Sequence, residues 1–599
     1  MNKTDLIQKV KALDGLSQDE RAYLINLVNT KKKYGLVWED KPEEVEEQLR
    51  ENLPVLKETK EKAIVNGEDY PNHILIEGDN LHALTALSFT HEGKIDVIYI
   101  DPPYNRGEND FIYNDDYVDK EDTFKHSKWL SFMERRLKIA KRLLSDNGII
   151  LISIDDNEVC QLKMLCDEVF IAKNFIEIFS WEKTQSPSNL SNKTKKRLEY
   201  VLCYEKIKNT NRYVGLSQDN PNDNPLLKSN NTVKELNFPK DKVTCTLKED
   251  FHFIAGEYGT KVNKVILKKD VWYRNGKFED DILLEAKFVW TQNNLKDEIE
   301  KKTKIIFKGK SLAPRYDKAD YKPEVPPNLI DERWGIATND VAKTELQGFG
   351  ITNFQYPKPS SLIKYLVSFN GKNDSTVLDF FAGTGTTLQA VVELNEKDDG
   401  VRKCILVSNN EVVNGTLNKI CEEVTYKRTS SIIKGYTKPS GEDIEGLNCN
   451  NLRYYKSEFV SREPSLKNKR ALTQFATELL CIKEDCYTEQ KIKIKQAKLF
   501  SNPRVTLLIL FDDHIIPDAV DLIKGMDAKE IKVYVFSMGS DPYTEDFAEV
   551  LDKVTLCALP DAIYKAYQNV LPKKNRTVPL MEEVSETPTN ESGEQLSIL

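Results

Sequence analysis

From Ile74 onward, short apolar runs stop at turn residues and give way to helical spacing. ILIEGDNLHAL reads as a strand, a turn and a helix, and KIDVIYIDPPY as a buried strand ended by Pro102 and Pro103, which cannot continue a ladder. An amphipathic run through Trp129, Phe132, Met133, Arg136, Leu137 and Ala140 follows, with its apolar members expected in a core. A turn at Asp146 to Gly148 then leads to another all-apolar strand, IILISI. Buried strands alternating with helices predict an α/β fold with a doubly wound, largely parallel sheet.

The same pattern divides the chain. Residues 1–70 read as an N-terminal helical region, with apolar positions at helical spacing from Asp5 to Asn29 and a charged, helix-like stretch from Pro42 to Lys62. Residues 71–206 carry the first half of the α/β core. After EYVLCYEK the alternation dissolves, and 207–350, rich in Asn and Lys, reads as an inserted domain. STVLDFFAGTGTTLQAVVEL and KCILVSNNE restore the α/β texture over 351–450. RVTLLILF, EIKVYVFS and DKVTLCAL predict a smaller C-terminal α/β domain over 451–572, and 573–599, rich in Glu, Thr, Pro and Ser, reads as a disordered tail.

Composition narrows the function classes. A chain of 599 residues exceeds what one core usually holds, so several domains are expected. No apolar run is long enough to span a membrane, and the N-terminus lacks a secretory pattern. The 10 cysteines are scattered, the nearest pairs being Cys160/Cys166 and Cys481/Cys486; this suits a reducing cytoplasm better than a disulfide framework. A net charge of −9 argues against coating nucleic acid indiscriminately, so any such contact must be local. The run Lys301 to Lys318 holds seven basic residues and one acidic residue, with Phe307 and Tyr316 among them. WYRNGK, Trp272 to Lys277, adds an aromatic-basic cluster. Such surfaces suit phosphate clamping and base stacking, although a Lys-rich run taken residue by residue is more readily a solvated face. The histidines show no HxH or HExxH spacing, and no metal site is expected.

Two turns carry candidate chemistry. Asp101, Pro102, Pro103 and Tyr104 follow a buried strand directly. An exocyclic amine conjugated to a base is a poor nucleophile until acceptors draw its hydrogens. The Asp101 carboxylate and the Pro102 carbonyl could both accept, and Tyr104 offers a flat face for stacking. Alone, the tetrapeptide equally suits an ordinary Pro-Pro turn. The second turn, Asp379 with Phe381, Gly383 and Gly385, lies between an apolar strand and a helix. Its glycines permit close backbone approach, and the helix N-terminus favours a ligand carboxylate such as that of a methionine moiety. Glu411, after the strand CILVS, could hold ribose hydroxyls or be a solvated turn residue.

These motifs resemble the amino-methyltransferases of restriction-modification systems, specifically the Mod subunits of type III systems. There a DPPY motif precedes the target-recognition domain and FxGxG follows it. The order here is the same, with Asp101 to Tyr104 before Phe381, Gly383 and Gly385; YGLVWED and ELLCIKEDC, Glu478 to Cys486, add to the likeness. The resemblance implies a Rossmann-like methyltransferase core and S-adenosylmethionine as cofactor. It implies that Asp79 contacts the cofactor's adenine and that Lys358, Pro359 and Ser360 lie beside its methionine moiety. It further implies methylation of adenine N6 in double-stranded DNA, with residues 207–350 reading the sequence. A homodimer and a separate Res-type ATP-dependent nuclease are implied partners, since FAGTGTT lacks the ending of a P-loop. A solitary methyltransferase, an enzyme acting on RNA, or mainly a specificity subunit with weak transfer are the alternatives. Arg106 departs from the family's usual Thr in DPPYNTG.

Overall fold

The computed structural model describes Val10, Leu13 and residues 38–572, apart from 108–110, 114–115, 119–120, 188–191, 216–223, 260–263, 319–324, 353, 355, 414–415, 464 and 528–529. The expected helix over Asp5 to Asn29 and the expected tail 573–599 lie essentially outside the described residues.

The core is one ten-stranded sheet. In chain order its strands are β1 (Asn52–Glu58), β2 (Asn72–Glu77), β3 (Ile95–Ile100), β4 (Leu144–Ile154), β5 (Phe175–Glu182), β6 (Leu198–Glu205), β7 (Leu329–Ile330), β8 (Thr376–Asp379), β9 (Lys403–Ser408) and β10 (Asn451–Ser461). Across the sheet they run β1, β10, β2, β9, β8, β3, β4, β6, β5, β7. Strands β10 through β4 are parallel; β6 then pairs antiparallel with both β4 and β5. Ile98 and Ile150 on one face and Val97 and Leu151 on the other are fully buried, as strands covered on both faces require.

Strand β3 leads to β4 on one side, whereas β8 leads to β9 on the other. Adjacent β3 and β8 therefore mark the point where the winding reverses, and open α/β sheets build ligand sites outside the carboxyl ends of strands at that point. Both candidate turns leave from there. Helix α1 (Asn80–Thr90) follows β2, α2 (Lys125–Leu143) precedes β4, α3 (Ser360–Val367) precedes β8, and α4 (Thr386–Asp398) connects β8 to β9.

Three domain boundaries differ from the sequence reading. The helix-like stretch to Lys62 is α-helical only over Glu44–Glu51, with a single 3-10 turn at Lys60–Lys62; between them NLPVLKE forms edge strand β1, antiparallel to β10. Residues 451–461 accordingly belong to the central sheet, where β10 is pinned between β1 and β2. The separate C-terminal sheet comprises Glu489–Gln490, Ala497–Ser501, Thr506–Leu510, Ile531–Phe536 and Val554–Leu559. The insert builds its own core from Leu226 to Leu312, but β7 pairs with β5, and Ile336, Leu346 and Phe349 pack into the central core. The independent part therefore spans about residues 224–317, and the last part of 207–350 is core. Phe307, expected to stack on bases, is fully buried because KIIFK alternates as a strand.

Candidate active site

Asp101 directly follows the last residue of β3, and Trp129 of α2 fixes the following turn by donating its indole N–H to the Pro103 carbonyl at 2.7 Å. The buried, left-handed Asn105 (φ 57°) anchors the next step, donating to the Lys125 carbonyl at 3.2 Å and to Glu158 at 2.6 Å. The Tyr104 ring is buried. Its hydroxyl donates to Asp101 at 2.8 Å and lies 3.4 Å from Glu199. Burial, then Asp101 and Glu199, push that hydroxyl far above its ordinary range, so it remains a donor.

Lys358 meets this turn from the other half of the chain. Its ammonium donates to the two Asp101 oxygens at 2.9 and 2.8 Å and lies 3.5 Å from Glu199. Glu199 also accepts from Lys183 at 3.0 Å and Arg106 at 3.3 Å, while Arg106 donates to Asp155 at 2.8 Å. Three carboxylates and three cations thus share a largely dry cluster. Burial alone would raise the Glu199 carboxyl; Lys358, Lys183 and Arg106 outweigh it and hold the group below its usual range. Burial would likewise lower the Lys358 ammonium, but Asp101 and Glu199 bring it above its ordinary value.

The second turn is organised from within. Asp379 accepts from the Phe381 N–H at 3.0 Å and the Thr387 hydroxyl at 2.5 Å, tying the end of β8 to the first turn of α4. Burial pushes its carboxyl up to about 7 against those two bonds. The two glycines differ. A Cβ on Gly385 would lie 2.9 Å from the Thr429 methyl and 3.3 Å from Thr425, so packing demands this glycine. On Gly383 (φ 45°) the nearest atom is the edge of the Phe354 ring at 3.4 Å. Phe381 packs against Phe132, with ring centroids 5.8 Å apart.

Asp79 caps α1 by accepting from the Leu81 N–H at 2.7 Å, and Asn80 donates to the Phe380 carbonyl at 3.0 Å, which joins the end of β2 to the glycine turn. Pro359 precedes α3, and the Ser360 N–H and hydroxyl both donate to Glu345 at 3.1 Å. Glu411 begins a short strand, Glu411–Val413, and its side chain lies outside the described ones. The structure therefore gathers Asp101, Tyr104 and Lys358 at one point and Asp379, Phe381 and Gly383 beside it. Ser360 faces Glu345 instead.

Several residues went unnoticed in the sequence. Asp155 and Glu199 sit at the same sheet edge as Asp101, one just after β4 and one at the start of antiparallel β6; acids at strand ends next to a candidate strand were the available signal. Arg428, fully buried, donates to Thr384, Thr386 and Gln389 and lies 3.4 Å from Glu345, bracing the glycine turn against the segment before α3. Nothing local in the sequence singles it out.

The donor set fits a sulfonium amino-acid nucleotide. The left-handed Gly383, the N-terminus of α4 and the partly exposed Asp79 carboxylate lie at the edge where Asp101 stands. Among the described residues no helix is long and apolar enough to cross a membrane.

The family model for DNA methylases matches residues 95–408. The type III EcoPI Mod subunit of Escherichia phage P1 is 33% identical over 69% of this chain and 70% of its own. The type II methyltransferase M.KpnI of Klebsiella pneumoniae is 30% identical over 62% of this chain and 86% of its own. A solved complex of M1.HpyAVI with SAM aligns at 13% identity and a TM-score of 0.29, covering 60% of this chain and 97% of that one.

Proposed function

Because the chain belongs to the DNA methylase family, with type III Mod subunits among its relatives, we propose that it methylates N6 of adenine in duplex DNA at a specific sequence. The observation that carries this is Lys358. Its ammonium holds Asp101 while its carbonyl accepts from Thr386 beside the glycine turn at 3.4 Å, so donor and acceptor sites share one frame.

S-adenosylmethionine, when bound, supplies an electrophilic methyl group. Gly383 and the start of α4 would receive its methionine end, and Asp79 its adenine end. Asp101 accepts one hydrogen of the target amine and the Pro102 carbonyl the other, which frees the nitrogen lone pair to point toward the methyl; Tyr104 supplies the stacking face. The N6 amine of B-form DNA lies within a stacked pair, so the base must leave the duplex to reach Asp101. That costs a few kcal/mol, offset here by stacking and the amine hydrogen bonds.

Residues 224–317 are the sequence reader, presenting Trp272 between His252 (ring centroids 4.1 Å apart) and the Arg274 guanidinium at 3.8 Å. As a Mod-type subunit the protein acts in the cytoplasm as a homodimer beside an ATP-dependent Res-type nuclease. A solitary methyltransferase is the second reading; the relatives include the type II methyltransferase M.KpnI, which is not a Mod subunit by name. Long-read modification mapping in a host expressing the chain, against a host expressing Asp101→Ala, tests the proposal: a methylated motif absent from the variant supports it, and its presence in both refutes it.

A further inference from the structure

Arg106, where the resembling family has Thr, occupies the face of Tyr104. Its guanidinium carbon lies 4.8 Å from the Tyr104 ring centroid and 5.1 Å from that of Tyr356. Tyr356 is half exposed and sits in the left-handed region at φ 56°, a conformation uncommon for a bulky residue and one that turns the backbone just before Lys358. A planar, delocalised cation between two aromatic rings imitates a stacked base. Asp155 and Glu199 clamp its edge at 2.8 and 3.3 Å.

We propose that Arg106 holds the place of the target base in the DNA-free protein and must swing out of the slot between Tyr104 and Tyr356 before the base enters. The proposal rests on the base-flipping methyltransferase reading above. Three features make such an exchange feasible. Asn105 is pinned to Lys125 and Glu158, so the backbone stays put and the movement is a side-chain rotation. Each clamp keeps other donors once Arg106 leaves: Glu199 retains Lys183 and Lys358, and Asp155 retains the Asn157 backbone and amide on Oδ1, while its Oδ2 gives up Arg106. The departing cation moves toward the polyanion that delivers the base, so the charge lost from the cluster is regained at phosphate.

The test is stopped-flow fluorescence of the full-length protein with duplex DNA carrying 2-aminopurine at the mapped target position. Wild type is compared with Arg106→Ala and Asp155→Asn. The second variant leaves Arg106 in place but turns an amide donor toward it, releasing one clamp without emptying the slot. Both variants should brighten the probe faster, Arg106→Ala by about five- to tenfold and Asp155→Asn by less, as loosening a partly exposed ion pair allows. Brightening that is unchanged or slower in both variants, with wild type bright, overturns the placeholder role and leaves base flipping standing. If Arg106→Ala does not fold, Asp155→Asn alone decides by the same criterion. A wild type that methylates without ever brightening the probe sinks the flipped-base reading, and the placeholder with it.

Discussion

Lys358→Met separates two roles for one lysine. The family resemblance sets it beside the cofactor's methionine moiety; the structure sets its ammonium 2.9 and 2.8 Å from the Asp101 oxygens and 3.5 Å from Glu199. Methionine fills the space of the aliphatic stem, so the change removes mainly charge. Losing one partner of a buried ion pair usually costs about 3–5 kcal/mol. Two features reduce that here: the Asp101 side chain is 26% exposed and can take up water, and Glu199 keeps Lys183 and Arg106. The expected loss is therefore about 2–3 kcal/mol, read from urea unfolding near pH 7.5. Glu199 is held below its ordinary value of 4.5, so its ion pairing contributes stability above that value, and the contribution fades as pH falls through the folded-state titration. The deficit of the variant should accordingly shrink as the pH drops toward the carboxylate range. Single-turnover methyl transfer should slow by about 10- to 100-fold, because Asp101 is no longer aimed. Cofactor affinity measured by calorimetry should change by less than about threefold. Loss of cofactor binding with transfer intact in the saturated complex would refute this reasoning and return Lys358 to the cofactor.

The glycines of the second turn should fail differently. Gly385→Ala should lower the melting temperature, because its Cβ meets Thr429 at 2.9 Å. Gly383→Val should weaken cofactor binding measured by calorimetry; its Cβ would meet only the Phe354 ring in ordinary contact at 3.4 Å, so the stability it loses comes from the φ of 45°, which a branched residue rarely adopts. Asp379, pushed up to about 7 from 3.8 by burial, holds a proton in the folded state that the unfolded chain has lost between those values. Its contribution to stability is therefore complete in acid and falls as pH rises through that window, by about 1.4 kcal/mol per pH unit at most; Asp379→Asn should flatten the slope in unfolding titrations. Exchanging residues 224–317 for the matching part of a relative should change the methylated motif in modification mapping while transfer persists; an unchanged motif would place the reader elsewhere.

What could be read from the sequence was local. DPPY and FAGTG each lie where an apolar strand stops, and both the stop and the chemistry are written in adjacent residues. The insert was visible because strand-helix alternation ceased. Its edges were not, because β7 is only Leu329–Ile330, too short for a period, and owes its place to pairing with β5. The pairing of β1 with β10, Asn52 opposite Ser461, joins segments from far apart in the chain, and no local pattern announces it. Phe307 is a different kind of miss. KIIFK already alternates, burying Ile305 and Phe307, but its basic composition drew attention away from the period. Lys358 was found by resemblance, and its pairing with Asp101 was legible only in the structure, since which carboxylate an ammonium meets depends on how the segment before α3 docks rather than on its neighbours in sequence.

The path of the chain back from the insert explains why the two halves of the site can be so far apart in sequence. After β7 the chain does not return directly to β8. It runs along the sheet edge, where the Trp181 indole donates to the Ala337 carbonyl, Glu345 receives both donors of Ser360, and Lys427 donates to the Gly350 carbonyl. Tyr356 and Lys358 come last, against Arg106 and Asp101. Whatever the insert binds is thus covalently continuous with the segment that places Tyr356 against Arg106 and holds the Asp101 carboxylate. An order with DPPY first and FAGTG last places that return segment between the insert and the candidate site. In the reverse order, with FAGTG first, chain leaving the glycine turn would enter the insert and the return segment would lead into β3, so the lysine that holds Asp101 would need another source.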